Sequence, residues 1–211
     1  MAASSRPRVR VKFCGITRPQ DALHAAQLGA DAIGLIFYPP SPRAVDIARA
    51  LEVMAAVPAM VTTVGVFVNP QPDELAALLE QVPLDLVQFH GDESPAVCQS
   101  SSRPWIKALG MREGTDVRDM ATRYAGARGL LLDTFSAEQK GGTGRTFDWQ
   151  LIPSDLDVPL VLAGGLDVTN VAAAIRAVRP HAVDANGGVE SMPGIKDHKK
   201  MEAFMREVNG G

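Results

Sequence analysis

Two patterns of apolar and polar residues take turns along this chain. Short runs of β-branched and aliphatic residues mark buried strands, and Ala/Leu-rich stretches with apolar positions three or four apart mark amphipathic helices. The strand pattern falls on 9–13, 32–37, 62–68, 84–89, 105–108, 129–132, 160–163 and 182–184. The helical pattern falls between them, on 20–28, 46–56, 73–81, 95–101, 116–124, 147–151 and 170–178, and again on 197–208. Strands alternating with helices predict a parallel sheet with right-handed crossovers. Eight such units without a linker predict an α/β chain forming a single (β/α)8 TIM barrel over 1–211, with 1–8 as a flexible N-terminal extension. The alternative is an open doubly wound sheet. That fold usually carries Gly-x-Gly-x-x-Gly after its first strand, and Cys14-Gly15-Ile16-Thr17 does not supply it.

Punctuation residues agree with this division. Thr17-Arg18-Pro19-Gln20 reads as a capping box with proline in the first helical turn, and Gly29 as the stop of that helix. Asn69-Pro70 ahead of Asp73-Glu74 reads as the start of the third helix.

Composition narrows the function. Of 211 residues, 46% are hydrophobic and 21% charged, which suits a globular chain with a substantial core. The net charge is −3 and the basic residues are scattered apart from His198-Lys199-Lys200, so nucleic-acid binding is not expected. No apolar run is long enough to span a bilayer, and the polar N-terminus does not read as a signal peptide. The two cysteines, Cys14 and Cys98, have neither disulfide nor zinc spacing. The expectation is a cytoplasmic monomer with no metal site.

Candidate chemistry collects at strand ends, where α/β proteins place their sites. Cys14 follows the first strand and precedes a glycine and a helix start. It reads either as a small buried hydrophobe or as a reactive thiol. Lys12 shares its face two residues earlier, and reads either as an ammonium that lowers the thiol pKa or, by preference, as a structural ion-pair partner, with Asp184 on the neighbouring eighth strand as its candidate counter-ion. Asp133 ends the sixth strand and reads as a turn cap or as a group of the strand-tip site. Lys140-Gly141-Gly142-Thr143-Gly144 reads as a mobile lid over the same face. Gly164-Gly165 and Asn186-Gly187-Gly188 follow the seventh and eighth strands, where exposed N–H groups form phosphate sites in barrels. Arg43, in a proline-stiffened loop, reads as a solvated arginine or as a carboxylate clamp. His90 reads as a satisfied structural histidine, with lining of the pocket as the alternative, and Cys98, His24, His181 and His198 are assigned no chemistry.

Taken in order, Lys-Phe-Cys-Gly-Ile-Thr (12–17), Ser-Pro-Arg (41–43), Gly-Val-Phe-Val-Asn (65–69), Val-Gln-Phe-His-Gly-Asp-Glu (87–93), Leu-Leu-Asp-Thr (131–134), Gly-Gly-Thr-Gly with Phe-Asp-Trp (141–149), Ala-Gly-Gly-Leu with Asn-Val (163–171), and Asp-Ala-Asn-Gly-Gly-Val-Glu with Pro-Gly-Ile-Lys-Asp (184–197) closely resemble the phosphoribosylanthranilate isomerase family. The resemblance implies a (β/α)8 barrel of tryptophan biosynthesis that needs no cofactor and takes a small phosphosugar substrate. It implies Cys14 as general base, Asp133 as general acid, Arg43 on the anthranilate carboxylate and Asp184 as an active-site aspartate. It places Gly164, Gly165, Asn186, Gly187 and Gly188 at the phosphate. Phe13 and Phe89 stand where aliphatic residues are usual, and Asn186-Gly187 where Ser-Ser is common. The competing readings are a histidine-pathway aminoaldose–ketose isomerase, which usually starts from a strand-end aspartate rather than Cys14, and a non-catalytic phosphate-ligand-binding barrel.

Overall fold

A computed structural model describes residues 8–134 and 147–210. Eight strands close on themselves in sequence order: β1 (Arg10–Phe13), β2 (Ala32–Ile36), β3 (Thr62–Phe67), β4 (Leu86–Phe89), β5 (Trp105–Met111), β6 (Leu130–Thr134), β7 (Leu160–Leu162) and β8 (Ala182–Ala185). The first strand pairs in parallel with both β2 and β8, so the sheet has no free edge. This is the predicted barrel, and each strand lies within three residues of its predicted bounds.

Strand alternation sorts the side chains. Phe13, Leu35, Phe89, Leu132, Leu162 and Val183 belong to the large core that also takes in the surrounding helices. Ile106, Ala108, Leu131 and Ala163 form a separate cluster from alternate strand positions, and these fill the barrel interior. Lys12 and Asp184 face each other in register on β1 and β8, also at alternate positions.

The helices are α1 (Pro19–Gln27), α2 (Ile47–Ala55), α3 (Pro72–Gln81), α4 (Pro95–Gln99), α5 (Val117–Arg123), α6 (Val171–Val178) and α7 (His198–Gly210). Where a helix was expected over 147–151, the described residues form one 3₁₀ turn, Trp149–Leu151. Gly29 does stop α1, with φ of +85° that L side chains rarely adopt. The capping box does not form. Arg18 is the N-cap of α1 without a side-chain cap, and Thr17 Oγ1 instead donates to the Gly194 carbonyl. The pattern also missed a short antiparallel hairpin, β9 (Glu190–Met192) and β10 (Ile195–Lys196), between β8 and α7. The lid expected at 140–144 and most of the 1–8 extension lie outside the described residues.

Candidate active site

Cys14 sits directly beyond β1, its N–H donating to the Ala185 carbonyl of β8, and its side chain is buried. Three charged or reactive groups meet there. Lys12 Nζ donates to Asp184 Oδ2 at 2.8 Å, and both side chains are buried. The ion pair expected from strand alternation is therefore formed. Burial works against the Lys12 charge, but Asp184 and the Cys14 sulfur hold its pKa above the ordinary lysine value. Burial pushes the Cys14 thiol up; Lys12 pulls it down, Asp184 pushes it up again, and the net direction is up. Asp184 Oδ1 is buried with no hydrogen-bond partner among the described residues.

Glycine makes room for this cluster. A Cβ on Gly34 of β2 would lie 2.7 Å from Cys14 Sγ and 3.2 Å from Lys12 Cε. Gly15 has φ of +69°, and a Cβ there would lie 2.6 Å from Asn186 Oδ1 and 2.8 Å from Arg43 Cδ. The tips of β1, β2 and β8 thus press together so closely that side chains at 15 and 34 are excluded.

Arg43 is mostly buried and its fork is already engaged. Its Nε lies 2.9 and 3.1 Å from the two Glu190 oxygens, and its Nη2 donates to Glu190 Oε2 at 2.7 Å. Lys196 Nζ donates to Glu190 Oε1, Asn186 O and Asn186 Oδ1, each at 3.1 Å. Burial works to raise the Glu190 carboxyl, but Arg43 and Lys196 together hold it below the ordinary carboxylate value. Burial pushes the Lys196 ammonium down against the pull of Glu190. The solvated-loop reading of Arg43 is excluded.

A second cluster lies at the tips of β4, β6 and β7. Asp133 Oδ1 accepts the Thr134 N–H at 2.7 Å, and its Oδ2 lies 3.2 Å from His90 Nε2. Gln88 Nε2 faces His90 Nδ1 at 2.8 Å. With the amide nitrogen on that side, Nδ1 is the accepting nitrogen and Nε2 faces the Asp133 carboxylate at ion-pair distance. His90 thus stands beside Asp133, which suits the pocket-lining alternative. The signal available in the sequence was its position at a strand end, two residues after Gln88 on the same face. Cys98 is buried on α4, its thiol pushed up to about 11 by burial, and carries no chemistry.

The glycine pairs stand where expected. Gly164 and Gly165 have φ of +83° and +65° just after β7. A Cβ on Gly164 would lie 2.5 Å from Thr134 Oγ1 and 3.2 Å from Asp133 Oδ1, so this turn packs against the second cluster. Asn170 Nδ2 ties the turn down by donating to the Gly165 carbonyl at 2.8 Å. Gly187 and Gly188 open a 3₁₀ turn, Gly187–Val189, beyond β8. A Cβ on Gly188 would lie 2.1 Å from the Leu166 carbonyl oxygen, a contact with backbone that cannot yield. The first N–H groups of such a turn have no partner within it and are disposed to meet an anion.

Comparison with known proteins gives the same direction throughout. The family model for N-(5'-phosphoribosyl)anthranilate (PRA) isomerase matches residues 11–207. An N-(5'-phosphoribosyl)anthranilate isomerase of Pseudomonas putida (strain W619) is 60% identical over 200 residues, covering 95% of this chain and 97% of its own. The crystal structure of phosphoribosyl anthranilate isomerase from Thermotoga maritima is 42% identical with a TM-score of 0.86, over 96% of this chain and all of that one. A phosphoribosyl anthranilate isomerase solved with reduced 1-(o-carboxyphenylamino)-1-deoxyribulose 5-phosphate is 38% identical with a TM-score of 0.79, again over 96% of this chain and 100% of the other. A match of this length and identity, on a closed barrel of the same kind, places the chain in the phosphoribosylanthranilate isomerase family.

Proposed function

We propose that this chain performs the Amadori rearrangement of N-(5-phosphoribosyl)anthranilate to 1-(2-carboxyphenylamino)-1-deoxyribulose 5-phosphate with Asp133 as general acid and Cys14 as general base. The isomerase activity and its place in tryptophan biosynthesis follow from the family. The observation that carries the residue roles is the pairing of two proton-handling groups at the tips of β1 and β6, three strands apart round one closed barrel.

In this reading Asp133 donates its proton to the furanose oxygen. The C1′–O bond breaks, and the nitrogen lone pair forms a protonated imine at C1′. Asp133 Oδ1 accepts the Thr134 N–H, and Oδ2, with His90 Nε2 3.2 Å away, is the oxygen suited to carry the transferred proton. Cys14, as the thiolate, then takes the C2′ proton and becomes the thiol. The C–H electron pair becomes the C1′=C2′ bond and the imine π pair returns to nitrogen, giving an enolamine that tautomerises to the ketose. The imine is the electron sink, so the sequence of steps calls on no cofactor. The cationic imine also offsets what burial does to Cys14, since a positive charge beside a thiol favours the thiolate.

The remaining groups bind. Gly164, Gly165, Asn186, Gly187 and Gly188 hold the phosphate through backbone donors. Asp184 Oδ1, a buried acceptor without a partner among the described residues, is suited to a sugar hydroxyl. Arg43 takes the anthranilate carboxylate on the edge of its fork not used by Glu190. We read the chain as one barrel domain acting in the cytoplasm, which its two free cysteines suit. We read the monomer as the working unit, which a hydrophobic content of 46% suits, although the T. maritima isomerase is dimeric. The test is to generate N-(5-phosphoribosyl)anthranilate in situ and follow its fluorescence on adding the protein. Loss of signal with formation of the ketose supports the reading, and folded protein without turnover rejects it.

A further inference from the structure

Glu190 takes no part in the steps above, yet its buried carboxylate accepts bonds from three directions. Arg43 holds it through Nε and Nη2, Lys196 through Nζ, and Gly194 through its N–H at 3.2 Å. The β9–β10 hairpin makes this possible, because Glu190 starts one strand and Lys196 ends the other, and the two residues pair across the ladder. Lys196 Nζ donates to three acceptors, as an ammonium with three hydrogens can.

A guanidinium presents two edges, each able to receive a carboxylate in bidentate fashion. Glu190 occupies the Nε/Nη2 edge, and so fixes both the plane of the fork and the direction in which the Nη1/Nη2 edge points. The charges also matter. Arg43 with Glu190 alone would be a neutral pair with little attraction for a second carboxylate. Lys196 cancels Glu190, and the three groups together keep one positive charge. We propose that the Glu190–Lys196 pair is the positioning device that turns Arg43 into a receptor for the aryl carboxylate, and so sets preference for a carboxylate-bearing amine substituent. This rests on the reading of Arg43 as the carboxylate-binding residue.

The experiment compares binding of two ligands, 1-(2-carboxyphenylamino)-1-deoxyribulose 5-phosphate and its phenylamino counterpart without the carboxylate. Their affinity ratio is measured for the parent protein, Glu190→Gln, Glu190→Asp and Arg43→Met. The amide of Glu190→Gln keeps one acceptor and puts an NH2 against cationic partners; it is expected to cut the ratio by about tenfold. Glu190→Asp keeps the charge but withdraws it by one methylene, and is expected to cut the ratio by about threefold, so the inference stays testable should the glutamine variant not fold. A carboxylate that merely held the hairpin together would weaken both ligands alike and leave the ratio at the parent value, which overturns the inference. Should Arg43→Met cut the ratio while both Glu190 variants leave it unchanged, the positioning role fails and the Arg43 reading stands. Should Arg43→Met leave it unchanged, the Arg43 reading fails and this inference with it.

Discussion

As the proposed base, Cys14 meets a difficulty common to buried groups: the site that shields it also holds its proton. Burial and Asp184 outweigh Lys12 and Lys196, so the thiol of the free protein titrates above its ordinary value. Titration of the Cys14 thiol in the free protein, read by its ultraviolet thiolate absorbance, is expected above the reference thiol value of about 8.5. A thiolate signal well below that value would show that the free site does not hold Cys14 protonated. Asp133 makes the complementary case. Replacing it with Asn keeps a side chain of the same shape, but an amide cannot give up a proton to the ring oxygen. Asp133→Asn is expected to lose about 10²- to 10⁴-fold in kcat, with circular dichroism unchanged; turnover near the parent value would remove Asp133 as the acid. His90 was only half legible, read as structural or pocket-lining, because a strand-end histidine has the same sequence signal whether it faces a neighbour's carboxylate or caps its own strand.

At the scale of elements, the strand ends are built by subtraction. Gly34 in β2 and Gly188 beyond β8 each lack a Cβ where one would collide with a neighbouring strand's contribution. Gly34→Ala would bring a methyl to 2.7 Å from Cys14 Sγ, so the sulfur must move. A displacement of about 1 Å costs on the order of 10²-fold in rate, and Gly34→Ala is expected to lose that order of kcat in the fluorescence assay. A variant with full turnover would show that Cys14 relocates without consequence. Strands and helices were legible because their periods, two and 3.6, survive in β1 to β8 and in most of the helices. Two local features were not. Thr17 has the residues of a capping box, but a long-range bond to Gly194 satisfies its hydroxyl instead. The β9–β10 hairpin has three and two residues, too short for any period to register, and its turn and charges serve Arg43 from 147 residues away in sequence. That separation explains why Arg43 looked like a loop arginine.

For the whole molecule, the buried ion pairs tie stability to pH from both ends. Glu190 is held below its ordinary value of 4.5, so its contribution is present above that value and lost as pH falls through the folded-state value. Lys12 is held above 10.5, so its contribution is present below that value and lost as pH rises through the folded-state value. Cys14 sharpens the alkaline side: above about 9 the thiol ionises in the unfolded chain while the buried one keeps its proton, which favours unfolding. Thermal unfolding is expected to show a plateau in Tm that falls away below about pH 4.5 and above about pH 9. A Tm that kept rising beyond pH 9 would contradict the buried, protonated Cys14. Breaking the pair between β1 and β8 by Lys12→Met leaves Asp184 buried and uncompensated. That costs about 3–5 kcal/mol, or a drop in Tm of roughly 10 °C for a chain of this length, readable by calorimetry. Closure of the barrel was legible from the count of eight units, whereas the joining of its ends through a buried charge pair was legible only because Lys12 and Asp184 fall on inward-facing positions.

The central claim is that a thiol at the tip of β1 is the base. The most direct measurement is kcat of Cys14→Ser on N-(5-phosphoribosyl)anthranilate generated in situ, beside the parent protein and with both shown to be folded. Serine keeps the size and the strand end intact, but its hydroxyl ionises far too weakly to take the C2′ proton near neutral pH. The account predicts a loss of about 10²- to 10⁴-fold in kcat with Tm almost unchanged. Turnover by Cys14→Ser close to that of the parent would contradict it, and would mean that another group removes the proton.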